Sequence, residues 1–305
     1  MQPVIIEVAI NGSCSKARNP HVPIGPEEIA ADAIACLDAG ASIIHSHIES
    51  FELNGKQAAE RYLQGWLPAL EARPDAIFYG TGAVAPTIEQ RCSHTEALAE
   101  SGAMRMGFID PGSVNLGGLM EDGLPRLGQS VYANSFDDID YSFRQLERLR
   151  LGPSIAVYEP GFLRTSIAYH RGGKLPRGAF VKFYFAGDHN FLDGAPGYPL
   201  FGLPATERGL EAYLEMLDGS ELPWAAAVMG GDVGACGMAK LAIERGGHVR
   251  VGLEDHASRT RAPSNAELVA EIAAIARRAG RAVATPEQTT RILSLPRQEN
   301  ELDQK

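Results

Sequence analysis

Two histidines separated by one residue offer the clearest chemistry in this sequence. His45, Ser46 and His47 end a short apolar segment of the kind that forms a β-strand. Because strand side chains alternate between faces, His45 and His47 would point the same way and Ser46 the opposite way. Two imidazoles on one face suit Zn2+, although a hydrogen-bonded histidine pair in a core gives the same pattern.

A second group of polar residues follows the last apolar segment of the chain. There Arg250 and Glu254 share strand parity, with Gly252 leaving room between them. If the strands close into a barrel, this last strand lies beside the first, which lies beside the strand of the two histidines. Glu254 would then complete a His2Glu set with open positions, which is a catalytic type of zinc site. Arg250 and Asp255 would supply an anion clamp and a base, or form a salt bridge at the rim.

The elements that must position these residues alternate along the whole chain. Eight short, almost continuously apolar segments are typical of parallel strands buried on both faces, at 4–10, 42–48, 76–81, 104–109, 154–158, 180–185, 224–228 and 248–252. Segments of helical periodicity follow them at 26–39, 59–72, 89–101, 137–150, 161–170, 206–218, 233–245 and 264–279. Eight such units predict a single-domain α/β fold, the (β/α)8 TIM barrel, over an open doubly wound sheet. We expect residues 1–296 to form this domain, with a tail helix after Pro286, and 297–305 to be a frayed polar tail.

Composition restricts the possible partners. The 305 residues are 45% hydrophobic and 22% charged, and the net charge of −10 argues against nucleic acid or an acidic membrane. A small anionic substrate is still possible if a local basic residue binds it. Four cysteines without C-x-x-C spacing argue against a disulfide framework or a thiolate zinc site. No signal peptide and no apolar run of about 20 residues is present, so a cytoplasmic location is expected.

Several further residues are ambiguous on sequence alone. Gly230 and Gly231 follow the seventh predicted strand, where barrels often bind phosphate, so they are either anion contacts or a simple turn. Glu7 is either a buried core carboxylate or a partner of the site. His189 is either a site residue or a solvated loop histidine.

Over nearly its whole length the chain resembles the β-keto acid cleavage enzyme family. The matching segments are AING with PIGPEEIA, AGASIIHSHI, PGSVNLG, VYEPG, GGHVRVGLED and ATPEQ. The resemblance implies that zinc is held by His45, His47 and Glu254, and that Arg250 and Asp255 serve catalysis. Substrate or cofactor is predicted to contact the following residues: Gly80, Thr81, Gly82, Phe108, Ser113, Gly230 and Gly231.

The family reaction is a Claisen-type exchange in which a β-keto acid and acetyl-CoA give acetoacetate and a new acyl-CoA. The resemblance therefore implies Zn2+ as cofactor, acetyl-CoA as co-substrate and a small anionic keto acid as substrate. Zinc would stabilise the enolate, and Asp255, steered by Arg250, would remove the proton. Family members are generally oligomers, often tetramers, so a homo-oligomer is expected.

Departures from the family pattern cluster where the substrate would lie. Polar residues of the type member are replaced by Cys14, Gly80, Phe108 and Ala156, although Glu159 is close to the last of these, and the loop 186–205 is longer. These changes predict a less cationic or more apolar keto acid, and they weaken the case for CoA. Alternatively, Phe108, Tyr158 and Tyr184 would enclose a quaternary ammonium group, unless they are barrel core, which is the more common role for such aromatics.

Three other functions compete with this one. An amidohydrolase-type metal hydrolase would place H-x-H on the first strand and a histidine after the fifth, where this chain has Tyr158-Glu159. A keto-acid lyase that does not use CoA is a closer rival. A degenerate barrel that only senses a metabolite is disfavoured because Arg250 and Asp255 are retained beside the ligands.

Overall fold

A ring of parallel strands forms the centre of the computed structural model, which describes residues 1–120, 122–127 and 131–296. The described strands, of which β5 and β6 lie outside the ring, are β1 Ile6–Ala9, β2 Ile43–His45, β3 Ile77–Tyr79, β4 Met106–Ile109, β5 Val114–Asn115, β6 Val131–Tyr132, β7 Gly152–Val157, β8 Phe180–Ala186, β9 Trp224–Met229 and β10 His248–Val251. Within the described ranges, eight of these form one parallel sheet in the order β3-β2-β1-β10-β9-β8-β7-β4. The N–H of Arg105 donates to the carbonyl of Phe78 at 3.2 Å and so joins the two ends of that order. The predicted (β/α)8 barrel is confirmed.

Helices follow the strands and cover the outside of the ring. They are α1 Pro26–Ala39, α2 Gly55–Ala72, α3 Ile88–Arg91, α4 Thr95–Glu100, α5 Phe136–Arg148, α6 Pro160–Arg171, α7 Glu207–Leu217, α8 Met238–Glu244, α9 Asn265–Arg278 and α10 Pro286–Leu293. Local sequence defines many of their ends. Proline occupies the first turn of α1, α6 and α10, and Ser135, Ser264 and Thr285 form capping boxes at α5, α9 and α10. The tail helix after the eighth unit is therefore present as α10.

Two predicted helices differ from the structure. The segment 89–101 forms α3 and α4, separated by a turn in which the N–H of Thr95 donates to the carbonyl of Cys92 at 3.0 Å. The helix predicted from 233 begins at Met238, because Gly237 before it has a left-handed φ of 85° that a regular helix does not allow. The predicted polar tail, 297–305, lies outside the described residues.

The segment between β4 and α5 is more structured than its sequence suggested. Here β5 and β6 pair antiparallel, with Val114 opposite Tyr132 and Asn115 opposite Val131. This small hairpin extends the wall above the carboxyl ends of the barrel strands, where barrel enzymes place their active sites. In the part of the chain that is described, no helix combines the length and the apolar character needed to span a membrane.

Candidate metal centre and its cavity

Three potential metal ligands meet at the carboxyl ends of β2 and β10. His45 Nε2 and His47 Nε2 are 3.1 Å apart, and they lie 3.2 and 3.4 Å from the two carboxylate oxygens of Glu254. Both imidazoles are buried, and the Glu254 side chain is 15% exposed. The sequence prediction that these three side chains converge is confirmed.

The spacing and chemistry of this triad fit a bound metal ion. In a tetrahedral zinc site with bonds of about 2.0–2.1 Å, neighbouring ligand atoms are about 3.3–3.4 Å apart, close to the three distances found here. Two ring nitrogens and a carboxylate facing one another in a buried place offer more lone pairs than N–H groups. A cation would satisfy them together.

Burial and a neighbouring guanidinium determine the protonation states of His45 and Glu254. Burial lowers the pKa of His45 to about 4, so its imidazole is neutral at pH 7. Burial alone would raise the pKa of Glu254, but the positive charge of Arg250 beside it holds that pKa well below its usual value. The centre therefore offers a neutral His45 nitrogen and an ionised Glu254 carboxylate.

The loop after β1 positions two of the ligands. The amide of Asn11 accepts a hydrogen bond from the His47 N–H at 2.8 Å and donates to the His47 carbonyl at 3.0 Å. Gly12, at φ 54°, packs directly against Glu254, since a Cβ there would lie 2.3 Å from the Glu254 Cγ. These contacts explain the Asn-Gly pair physically, and they explain how His47 is held although β2 ends at His45.

Gly252 brings Arg250 and Glu254 together in a different way from that predicted. Its φ of 140° ends the strand alternation, and a Cβ there would lie 2.1 Å from the carbonyl oxygen of Ala9. The glycine therefore permits β10 to approach β1 rather than leaving room between the two side chains. Arg250 Nη2 still lies 3.1 Å from Glu254 Oε2, as the parity argument required.

Arg250 is the centre of a buried charge network beneath the metal site. Its Nε and Nη2 contact the two oxygens of Asp255 at 2.9 and 3.0 Å, and its Nη1 donates to Glu7 at 3.0 Å and to Tyr79 at 3.2 Å. Only 2% of Arg250 is exposed, and Glu7 is fully buried. Glu7 is thus a partner of the site rather than an isolated core carboxylate. Burial raises the pKa of Asp255, although the positive charge of Arg250 acts in the opposite direction.

Sequence analysis missed Lys182, the second buried cation of this network. Its ammonium group donates to Glu7 at 3.2 Å, to the Tyr79 hydroxyl at 2.7 Å and to Ser154. The available signal was a lysine in the middle of an otherwise apolar strand, because an unpaired charge is not tolerated there. Tyr79 in turn stacks on the ring of His45, with centroids 4.4 Å apart, so the network contacts a metal ligand directly.

A cavity of about 760 Å³ opens above the metal centre. His47 and Glu254 form part of its wall, together with three of the predicted substrate contacts, Thr81, Gly82 and Phe108. The aromatics Tyr132 and Tyr158 also line it, as does the carboxylate of Asp110. Phe191 and Leu192, from the long loop after β8, complete part of the rim.

The other predicted substrate contacts lie outside the lining of this cavity. Gly80 packs against Tyr62, and the Ser113 hydroxyl accepts from the Asn134 N–H at 2.9 Å. The Gly230 N–H donates to the Asp255 carbonyl at 2.8 Å, and Gly230 with Gly231 forms a tight turn against the loop after β8. These four residues therefore contribute packing and local hydrogen bonds around the site.

Cys14, Glu159 and His189, whose roles the sequence left open, make local contacts near the site. Cys14 is buried beside Ser15, and the carboxylate of Glu159 accepts from the Gly202 N–H at 3.2 Å. The backbone N–H of His189 donates to the Gly230 carbonyl at 2.9 Å. None of these three is among the described residues that line the cavity.

Comparison with known proteins gives a match over nearly the whole chain. Residues 3–295 match the family model described as beta-keto acid cleavage enzyme. The chain is 31% identical over 301 residues to the 3-keto-5-aminohexanoate cleavage enzyme of Acetoanaerobium sticklandii, covering 97% of this chain and 99% of that protein. It is 28% identical over 306 residues to the 3-oxoadipate:acetyl-CoA acetyltransferase of Cupriavidus necator, covering 98% and 97% of the two chains.

Solved structures support the fold independently. A complex of ObcA with oxaloacetate superimposes with a TM-score of 0.68, covering 92% of this chain and 69% of that one. Apo ObcA gives a TM-score of 0.67 over the same share of this chain. At 17% and 16% sequence identity these similarities concern the barrel fold.

Because Lys182 belongs to the buried network, we expect its replacement to lower the unfolding free energy much more than replacement of an exposed lysine. Replacing Lys182 by Met leaves Glu7 with one cation fewer in a place without solvent, so Lys182→Met should lose about 3 kcal/mol of unfolding free energy. Lys240→Met, which removes an exposed helical ion pair with Glu244, should lose less than about 1 kcal/mol. Urea denaturation with a chelator present measures both. Equal stability of the two variants would contradict the assigned role of Lys182.

Proposed function

Because the chain belongs to the β-keto acid cleavage enzyme family, we propose that it exchanges acyl groups between a β-keto acid and acetyl-CoA, with zinc as cofactor. The products would be acetoacetate and the CoA ester of the remaining acyl group. The observation that carries this proposal is the convergence of His45, His47 and Glu254, of which His47 and Glu254 form part of the wall of a cavity large enough for a keto acid. The curated relatives named above, one of them an acetyl-CoA acetyltransferase, support the choice of reaction.

The three ligands would hold zinc through neutral nitrogen and ionised carboxylate atoms. Zinc bound there would act as a Lewis acid on the keto and carboxylate oxygens and so stabilise an enolate. The fit of the donor set, the lowered pKa of His45 and the ionised Glu254 support this assignment.

Asp255 is the proposed base for the carbon between the two carbonyl groups. Arg250 binds both of its oxygens and fixes the carboxylate beside Glu254, while each oxygen keeps a second lone pair that can accept the proton. The resulting carbanion would attack the acetyl thioester and expel CoA thiolate. The thiolate would then attack the original keto carbon and break the bond between that carbon and the former carbanion carbon, and the acetoacetate carbanion so released would take back the proton held by Asp255. Asp255 and Arg250 lie behind the cavity wall, so the substrate would reach them past the metal ligands.

The alternative functions have less support. The family match and the acetyl-CoA-dependent relative argue against an amidohydrolase-type hydrolase and against a lyase that works without CoA. The homo-oligomeric state that the resemblance implies stays a prediction.

Removal of one ligand should remove the metal. Wild-type protein loaded with zinc and dialysed should keep about one zinc ion per chain, and His45→Ala should keep almost none, because two remaining ligands bind much more weakly. His170→Ala, at an exposed position on α6, is the matched control and should keep the wild-type content. Elemental analysis reads all three proteins. Stoichiometric zinc in His45→Ala would rule out this ligand set.

The reaction itself is tested by incubating the zinc-loaded protein with acetyl-CoA and a panel of β-keto acids. Acetoacetate should form with at least one acid, and Asp255→Asn should lower kcat by about 10²–10⁴-fold, the usual effect of losing a general base. The dissociation constant for the keto acid should change little, since Asn keeps the shape of the side chain. Hydrolysis of lactones or amides, with no acetoacetate from any acid, would contradict the proposal.

A further inference from the structure

One arginine in the loop after β1 joins two other loops at the mouth of the cavity. The guanidinium of Arg18 donates from Nη1 to the carbonyl of Phe191 at 2.7 Å and from Nη2 to the carbonyl of His256. Its stem packs on Gly194, where a Cβ would lie 3.2 Å from the Arg18 Cδ. Phe191 lines the cavity, and His256 directly follows the proposed base Asp255. A single charged side chain therefore connects the wall of the cavity to the end of β10.

The carbonyl of His256 is the fixed end of this connection. The N–H of His256 donates to the carbonyl of Gly252 at 2.9 Å, and the N–H of Ala257 donates to the carbonyl of Gly231 at 3.1 Å. The His256 side chain is buried as well. The backbone at this point is thus held by contacts that do not involve Arg18, and it can serve as an anchor.

The other end of the connection is the β8 turn, residues 189–196 of the long loop after β8. Contacts within this turn give it a shape of its own. The N–H of Gly194 donates to the carbonyl of Asn190 at 2.7 Å, and His189 pairs antiparallel with Pro196. The turn should therefore move as one body if the bonds that tie its middle to the rest of the protein are broken.

Arg18 makes a charge-assisted contact between the β8 turn and the barrel. Two other side-chain contacts reach the middle of the turn. The Ser13 hydroxyl donates to the Leu192 carbonyl at 3.4 Å, and Arg126 lies 3.2 Å from Asp193 in an exposed ion pair. A long hydrogen bond and an exposed ion pair contribute little, whereas a hydrogen bond from a guanidinium is among the stronger ones in proteins.

We propose that Arg18 is a positioning residue that holds the β8 turn in the wall of the cavity, with the carbonyl of His256 as its anchor. This inference rests on the proposed function, because that wall is taken to belong to the substrate site. Asp255 is bound independently by Arg250, so Arg18 affects substrate binding more than proton transfer. The planar fork of a guanidinium reaches two carbonyls at once, which a lysine ammonium does not do in the same geometry.

Kinetics of variants at position 18 test this role. In Arg18→Met, KM for the keto acid should rise by roughly tenfold or more, the effect of losing one charge-assisted hydrogen bond, while kcat changes by less than about threefold. Arg18→Lys should lie between Arg18→Met and the wild type. Lys16→Met removes a cation of the same loop, which pairs with Glu28 at the surface, and as the matched control it should keep the wild-type KM. An unchanged KM in Arg18→Met, or a loss confined to kcat, would overturn the inference.

Hydrogen–deuterium exchange tests the β8 turn without relying on turnover. Its amides should exchange at least about tenfold faster in Arg18→Met than in the wild type and in Lys16→Met, while amides of α1 and α9 stay unchanged. That restriction distinguishes positioning from a general loss of stability. Faster exchange throughout the chain, or no change in the turn, would contradict the proposed role.

The exchange measurement also separates this inference from the reaction. If no keto acid is turned over, the proposed function is contradicted, and exchange still decides whether Arg18 holds the β8 turn. If Arg18→Met does not fold, Arg18→Lys decides by both measurements.

Discussion

The pairing of one buried guanidinium determines much of this active site. Arg250 has almost no contact with water, so its charge must be balanced by protein groups. It contacts Asp255 through two parallel bonds, Glu254 through a third and Glu7 through a fourth. The proposed base Asp255, the candidate metal ligand Glu254 and the buried Glu7 are therefore held in fixed positions relative to one another by the side chain of Arg250.

The charges of this region also favour a cation at the candidate metal site above it. Two buried cations, Arg250 and Lys182, face three carboxylates, Glu7, Glu254 and Asp255. Ionised together, the carboxylates exceed the cations by one charge, and a divalent ion reverses the sign of the balance. An anionic keto acid would then meet a net positive site. Binding of metal and substrate is expected to relieve repulsion that the protein alone does not balance.

Sequence reasoning succeeded where local periodicity or a short motif decides the geometry. Eight apolar segments predicted the barrel, and strand parity with barrel closure predicted the meeting of His45 and Glu254. Lys182 and Arg18 were missed because their partners come from distant strands and loops. Such contacts depend on the register and tilt of the whole barrel, which no local pattern contains.

The origin of the carbon atoms in the product tests the central claim most directly. The enzyme would be incubated with acetyl-CoA labelled with ¹³C in both acetyl carbons and with an unlabelled β-keto acid, and the products analysed by NMR. The proposed exchange predicts label only in the keto and methyl carbons of acetoacetate, with none in the new acyl-CoA. Unlabelled acetoacetate, or cleavage of the acid that proceeds equally well without acetyl-CoA, would contradict the account.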